Sequence, residues 1–444
     1  MKEKIINILK DKTIAILGFG REGKTSYSFI RKYLPESKIT IIDKVDFRDD
    51  ELVKGDLNVS FISGEKYLDN LNDYDLILKT PGISLLNVDV DMNKITSQLE
   101  LLLEVHRDHM IGITGTKGKS TTTTLAYSIL NENGIKSVLV GNIGTPAFSM
   151  LEEVDDDTYF VVEMSSHQLE TLRRSPHIGV VLNLFQDHLD HTGSIEAYHN
   201  AKMNIFKYQD SNDYAIYYKD NETLNNRVNN LDIKSTKITV STSDVADIYL
   251  KDNDVYYNDK IVFNKDLKRN ILGDHNFINI MVCFVIGKLF NISESDILKT
   301  ISNFKPLQYR MENLGEFDGV YYYVDTLATI PEATLATISA IKDIDTLIFG
   351  GLDRGISYDG FAEKLIESGI NHFICMPKTG FDIGKELPED KTYFAEDLKT
   401  AVDIAKKVTA KGKICILSPA AASYEYFKNY AEKADKFKEY IFNE

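Results

Sequence analysis

The chain has 444 residues, 43% hydrophobic and 27% charged, with a formal net charge of −16. That length holds two to four domains, each able to bury a full core. The acidic balance argues against nucleic acid or an anionic membrane as partner, so a triphosphate or acidic substrate must meet locally placed basic groups.

The opening MKEKIINILKDK is too short and too charged for a signal peptide, and no apolar run approaches membrane-spanning length. Cys283, Cys375 and Cys415 lie far apart, without metal-ligand spacing, and read as buried thiols of a reducing cytoplasm. Thr13 to Leu17 is a β-rich run into Gly18-Phe19-Gly20-Arg21-Glu22-Gly23, and the next predicted strand, Lys38 to Ile42, ends at Asp43. A G-x-G-x-x-G turn inside a βαβ unit, with an acid roughly twenty residues on, suits a dinucleotide or any diphosphate seated on a helix N-terminus. A third strand, Leu76 to Lys79, ends at Thr80-Pro81-Gly82, and Asn93 to His106 reads as a helix closing the domain.

The most informative stretch is Met110 to Thr124, MIGITGTKGKSTTTT. A short apolar run precedes Gly115, Thr116, Lys117 and Gly118; Lys119, Ser120 and Thr121 then start a helix. Strand, glycine turn, Lys-Ser and helix make a phosphate-binding loop: backbone N–H groups face an anion, Lys119 reaches the outer phosphates, and the Ser120 hydroxyl can bind Mg²⁺. The generic motif has a glycine where this chain has Ile113, which points to a shorter loop. Three more predicted strands end in polar groups: Ser137 to Val140 before Gly141-Asn142, Tyr159 to Val162 before Glu163-Met164-Ser165, and Val180 to Leu184 before Phe185-Gln186-Asp187-His188. Open parallel sheets place their ligand crevice at such strand ends. There Glu163 offers a carboxylate and His188 an imidazole to a metal. Lys202 lies on an amphipathic helix, Glu196 to Phe206.

Residues 212–264 change to short alternating runs with Asp/Asn turns and read as a small antiparallel appendage. Helices follow at Asp274 to Phe290 and Ser293 to Ser302, then a linker at Pro306 to Arg310. Beyond it, helical stretches at 331–342, 359–368, 396–410 and 422–440 alternate with apolar strands at 346–349, 372–376, 391–395 and 413–417, a third α/β unit with a parallel sheet. The expected fold is α/β in three domains. A Rossmann-like domain spans 1–106, a P-loop ATPase-like domain with a mostly parallel sheet and the appendage spans 107–305, and a second Rossmann-like domain spans 306–444.

The motifs MIGITGTKGKSTTTT, GNIGTP, VVEMSSHQLE, LNLFQDHLDH, YHNAKMNIF, LGDHNFIN, LQYRME and ILSPAAASYEYFKNY, in this order, resemble the Mur ligases over essentially the whole chain. The likeness is strongest to the members that join glutamate to UDP-N-acetylmuramoyl-L-alanine. It implies a cytoplasmic, ATP-dependent amide ligase of peptidoglycan precursor synthesis working through an acyl phosphate, with domains for the UDP-sugar, ATP and the amino acid. By the same resemblance, Gly115 to Thr121, Asn276, Arg310 and Asp325 meet the nucleotide. Gly20, Arg21, Glu22, Asp43, Pro81, Gly82, Asn142, Ser165 and Gln168 meet the UDP-substrate. Arg354, Ser423 and Tyr430 meet glutamate. Lys119, Asn142, His188 and Lys202 are the implied catalytic set. Ser120 and Glu163 would serve one Mg²⁺, and His188 and a carbamylated Lys202 a second.

Three positions depart from the family pattern: Lys117 for asparagine, His167 for phenylalanine, and Leu327, in Asp325-Thr326-Leu327-Ala328-Thr329-Ile330-Pro331, for a lysine that helps hold glutamate. The last leaves room for the L enantiomer. Other readings are a folylpolyglutamate-type ligase, a catalytically silent nucleotide-binding subunit and, from the first glycine turn alone, a nicotinamide dehydrogenase. A monomer without nucleic-acid or membrane partners is expected.

Overall fold

The computed structural model describes residues 1–141, 146–186, 193–271, 273–274, 276–305, 308–353, 356–423 and 426–442. Three sheets organise the described chain. The first has β1 (Ile14–Leu17), β2 (Ile39–Asp43), β3 (Val59–Ser63), β4 (Leu76–Lys79) and β5 (Ile95–Thr96), all parallel, in the order β3-β2-β1-β4-β5. Its central strand IAIL is buried throughout, as expected of a parallel strand covered on both faces.

The second sheet has β6 (Met110–Thr114), β7 (Ser137–Gly141), β8 (Tyr159–Glu163), β9 (Ile178–Val181), β10 (Tyr214–Tyr218), β11 (Thr236–Ser241), β12 (Ile248–Lys251), β13 (Asp254–Tyr257) and β14 (Lys260–Asn264). Their order is β14-β13-β12-β11-β10-β9-β6-β8-β7. Strands β6 to β12 are mutually parallel; only β12, β13 and β14 form an antiparallel meander. The stretch 212–264 is therefore less separate than its alternating pattern suggests, because β10 and β11 simply extend the parallel sheet. The meander's turns use Asp252, Asn258 and Asp259 at positive φ, the conformation that short polar side chains tolerate. Strand β6 lies between β8 and β9, where the order reverses, which is the switch point that opens a crevice at the strands' carboxyl ends.

The third sheet has β15 (Glu312–Phe317), β16 (Val320–Val324), β17 (Ile344–Phe349), β18 (His372–Cys375), β19 (Thr392–Phe394) and β20 (Ile414–Leu417), in the order β15-β16-β20-β17-β18-β19. All pairs are parallel except the β15–β16 hairpin. That hairpin is absent from the sequence reading, although its turn, Asp318-Gly319 with both φ positive, is a strong hairpin signal. The terminal helix is Tyr430–Phe442 rather than 422–440.

The first two sheets belong to one compact unit and the third to another. Within the first unit, Gln98 Nε2 donates to Glu22 O at 2.9 Å, and Phe148 N donates to Gln98 Oε1 at 3.1 Å. The buried Lys79 pairs with Glu170 at 2.8 Å. All three cysteines are buried and unbridged. Among the described residues no helix is long and apolar enough to cross a membrane.

Candidate functional site

The apolar strand β6 delivers the chain into a turn only glycine can make. Gly115 has φ +153° and Gly118 φ +86°; a Cβ on Gly118 would lie 2.7 Å from Asn279 Oδ1. Asn183 braces this loop. Its Oδ1 accepts from Lys117 N at 2.8 Å, its Nδ2 donates to Lys117 O at 3.0 Å, and its carbonyl accepts from Thr116 N at 3.0 Å. Lys119 Nζ folds back to donate to Gly115 O (3.0 Å) and Thr116 O (2.9 Å).

The Lys119–Glu132 helix that follows has no acid in its first turn. Its N-terminal N–H groups and positive dipole end thus face the crevice without a competing carboxylate on the same turn. The threonine run also has an explanation. Thr122 and Thr123 Oγ1 donate to Gly118 O (2.9 Å) and Lys119 O (2.8 Å), and Thr124 Oγ1 to Ser120 O, which satisfies each hydroxyl inside the helix. The buried Thr121 Oγ1 has no partner among the described residues.

Glu163 ends β8 and lies in register with Ile113 of β6 and Gly141 of β7. A Cβ on Gly141 would stand 2.4 Å from Glu163 O, so only glycine lets β7 pass this close. Thr114 Oγ1 donates to Met164 O at 2.7 Å, locking the two strand ends together. Lys202 is carried here by the Ile195–Lys207 helix. It is 1% exposed, and its Nζ donates to Gly115 O at 3.0 Å and Thr114 Oγ1 at 3.4 Å, with the Tyr198 ring 4.7 Å away. The loop, the Glu163 carboxylate and Lys202 thus share one end of the sheet. A hydroxyl and a buried carboxylate beside a phosphate loop are the oxygen donors Mg²⁺ takes, so Ser120 and Glu163 fit that ion. Among the described residues no group of three or more His, Cys, Asp or Glu side chains could hold a metal. A Ser–Glu pair completed by nucleotide oxygens needs no such group.

The first glycine turn is built differently. Gly18 (φ +92°) would place a Cβ 2.0 Å from Thr80 Oγ1, and Gly23 one 2.1 Å from Gly18 O, so both serve close packing. A Cβ on Gly20 or Gly82 would meet nothing within 4 Å. Asp43 clamps the turn: its Oδ2 accepts from Phe19 N at 2.7 Å and its Oδ1 from Val45 N at 3.0 Å. Arg21, Glu22 and Pro81 line a cleft with Gln98, Gly141 and Gln168 of about 170 Å³. Burial pushes the Glu22 carboxyl up to about 7, against the opposing pull of the Lys79 ammonium. Ser165 and Gln168 form a reciprocal cap on the Ser166–Leu169 turn.

In the second unit, Asp325 directly follows β16 and is 3% exposed. Its Oδ2 accepts from Thr337 Oγ1 and, at 3.4 Å, from Ser418 Oγ, and its Oδ1 from Met311 N at 3.3 Å. Arg310 precedes that N–H donor, and its Nε is buried without a partner among the described residues. The same holds for the hydroxyls of Thr326 and Ser423. Tyr430 opens the terminal helix, with its ring 6.1 Å from that of Tyr309. Asn276 opens the Asn276–Leu289 helix and is 2% exposed. Asn142, His188, Arg354 and the linker position Pro306 lie outside the described residues.

Sequence reasoning missed Asn183 and Tyr198, both inside quoted motifs. Tyr198 OH donates to Thr116 Oγ1 at 3.3 Å. It also missed Lys433, a lysine 1% exposed in the terminal helix. An apolar helix stripe broken by a lysine is the one signal that marked it.

A family model, Mur ligase middle domain, matches residues 113–287. The UDP-N-acetylmuramoylalanine–D-glutamate ligase of Clostridium acetobutylicum is 34% identical, covering 99% of this chain and 98% of its own. The enzyme of the same name from Clostridium kluyveri is also 34% identical, over 98% and 97%. Among solved structures, the UDP-N-acetylmuramate–alanine ligase of Thermotoga maritima superposes with a TM-score of 0.60 at 18% identity, covering 96% of this chain and 98% of that one. A MurF ligase from the same organism, in complex with ADP, gives a TM-score of 0.61 at 16% identity, covering 96% and 94%. These structural likenesses concern the fold alone.

Proposed function

The chain belongs to the Mur ligases, and from that premise we propose that it joins D-glutamate to UDP-N-acetylmuramoyl-L-alanine at the expense of ATP. The observation that carries this reading is the end-to-end match to ligases of that name at 34% identity. These relatives are named as D-glutamate ligases, which favours the D over the L enantiomer, despite Leu327. The retained Lys119, Ser120, Glu163 and Lys202 favour an active enzyme over a silent subunit.

In the first step a carboxylate oxygen of the UDP-substrate attacks the γ-phosphorus of ATP and ADP leaves. In the second the glutamate nitrogen attacks the acyl carbon, phosphate leaves and a proton is released. Lys119 and the N-terminus of its helix supply positive charge to the transferring phosphoryl group. Ser120 and Glu163 would hold Mg²⁺, which would supply further charge neutralisation at the phosphate oxygens. Asn183 and Tyr198 keep the loop in place. His188 and Asn142 are assigned to the same crevice by the resemblance.

We read Lys202 as a carbamate, formed when its neutral amine bonds to the carbon of CO₂ and loses a proton. Its near-complete burial and its place at Gly115 support this, because a carbamate offers an anionic oxygen where a lysine cannot. Arg21, Glu22, Pro81, Gly82 and Gln168 are read as the UDP-sugar side, with Gly20 and Asp43 shaping the turn and Ser165 the cap. Asn276, Arg310 and Asp325 serve the nucleotide, and Ser423, Tyr430 and Arg354 serve glutamate. The domains would run 1–106, 107–305 and 306–444, in a cytoplasmic monomer.

The test is phosphate release and product mass from UDP-N-acetylmuramoyl-L-alanine, ATP and each glutamate enantiomer in turn. A product with D-glutamate alone is expected; a product with the L enantiomer, or none, overturns the reading. Lys202→Ala should be almost inactive and partly restored by formate. No rescue, together with an unmodified lysine by mass in a CO₂-equilibrated sample, removes the carbamate.

A further inference from the structure

The inner face of the Tyr430–Phe442 helix buries Lys433, Ala434, Phe437 and Ile441. The spacing is that of an apolar stripe, and Lys433 occupies one of its positions. A methionine would fill that space without desolvating an ammonium, and burial pulls this one down to about 7. What the amine adds, among the described residues, is one hydrogen bond. Lys433 Nζ gives a 3.0 Å hydrogen bond to Gly350 O, with the Phe427 ring 5.8 Å away.

Gly350 sits at a crowded junction. It has φ +118°, and a Cβ there would fall 2.2 Å from Met376 O. Its N–H donates to Pro419 O at 2.8 Å, and Leu352 N donates to Ala422 O at 3.0 Å. A Cβ on Gly351 would fall 2.4 Å from Ala422 O. The Gly350–Leu352 segment is thus pressed along Pro419–Ala422, which runs directly into Ser423. On its other side Gly351 O accepts from Lys378 N at 3.0 Å. Lys433 links this junction to the helix that Tyr430 opens, three residues before it.

We propose that Lys433 is a positioning residue of the glutamate site: by holding the Gly350 carbonyl it fixes the Ser423 segment against the Tyr430 helix start. This rests on Ser423 and Tyr430 being glutamate residues. The buried Ser423 hydroxyl, with no partner among the described residues, is where a small misplacement is felt first, because a ligand hydrogen bond depends on tenths of an ångström.

The experiment compares Lys433→Met, Lys433→Arg and Ser423→Ala by Michaelis constants for all three substrates, kcat at saturating glutamate, and melting temperature. Lys433→Met should melt no lower than the parent and raise the glutamate KM about tenfold. The other two constants should stay within about twofold and kcat within about threefold. Lys433→Arg, which keeps a charged donor, should recover most of the glutamate KM. An unchanged glutamate KM in Lys433→Met, or an equal loss for all three substrates, overturns the proposal. If the methionine variant does not fold, Lys433→Gln, whose head ends short of Gly350, must show the same selective rise; a normal glutamate KM there overturns it equally. Ser423→Ala separates the two claims. If it leaves the glutamate KM unchanged, the assignment of the site fails; if it raises that constant while Lys433→Met does not, only the positioning role fails.

Discussion

The two glycine turns of the first unit share one plan, strand to turn to helix, and differ in what surrounds the helix start. At the phosphate loop a lysine lies over the turn, and the first helical turn has no acid. At the first turn Asp43 takes the Phe19 N–H and Glu22 stands in the opening turn of its helix. Backbone geometry alone makes either one an anion site. Side chains decide which anion is tolerated. On the proposed reading the second turn is dressed for a highly charged triphosphate, and the first for the UDP-substrate, beside Arg21 and a protonated Glu22.

The comparison breaks most readily at Lys119. Lys119→Ala should cost a hundredfold or more in phosphate release, the typical loss for a transition-state contact of this kind, with the fold kept by circular dichroism. An activity within threefold of the parent would make the two turns equivalent. Next come the glycines that packing demands. Gly23→Ala drives a Cβ into the Gly18 carbonyl at 2.1 Å, and neither backbone can yield easily. It should lose on the order of 1–3 kcal/mol, read by chemical denaturation, as overpacked sites do.

A smaller effect tests the dressing itself. Glu22, raised to about 7, is uncharged below that pH and anionic above it. The KM for the UDP-substrate should therefore rise severalfold from pH 6.5 to 8.5, and Glu22→Gln should flatten the rise. Stability follows the same sign. The folded state holds this proton more tightly than the unfolded one, so stability falls as pH climbs from about 4.5 through 7. Glu22→Gln should then raise the melting temperature at pH 8 and leave it unchanged at pH 4.5. The smallest effect belongs to Gly20→Ala. Nothing crowds that position, so stability should hold, and any change should appear only in the UDP-substrate constant.

Legibility in the sequence followed the same physical line. Lys119, Ser120 and Glu163 could be read as candidates because Lys119 and Ser120 open the helix after the glycine turn that follows β6 and Glu163 ends β8, and parallel strands end at their crevice. Asn183 and Tyr198 could not. Each braces Thr116 or Lys117 from some 65 or more residues away, and no local pattern announces a long-range hydrogen bond. The β15–β16 hairpin was legible in Asp318-Gly319 but stood next to a segment read as linker. Residues 212–264 misled because a strand with one half-exposed face alternates whether its neighbours are parallel or not. Lys433 hid because a helical lysine is normally a solvated one.

The division of labour between the two turns can be measured directly by calorimetric titration of a non-hydrolysable ATP analogue with Mg²⁺, and separately of UDP-N-acetylmuramoyl-L-alanine, into the parent and Lys119→Ala. Lys119→Ala should weaken the ATP analogue at least tenfold while the UDP-substrate binds within twofold of the parent. Equal weakening of both ligands, or loss of the UDP-substrate alone, would contradict it.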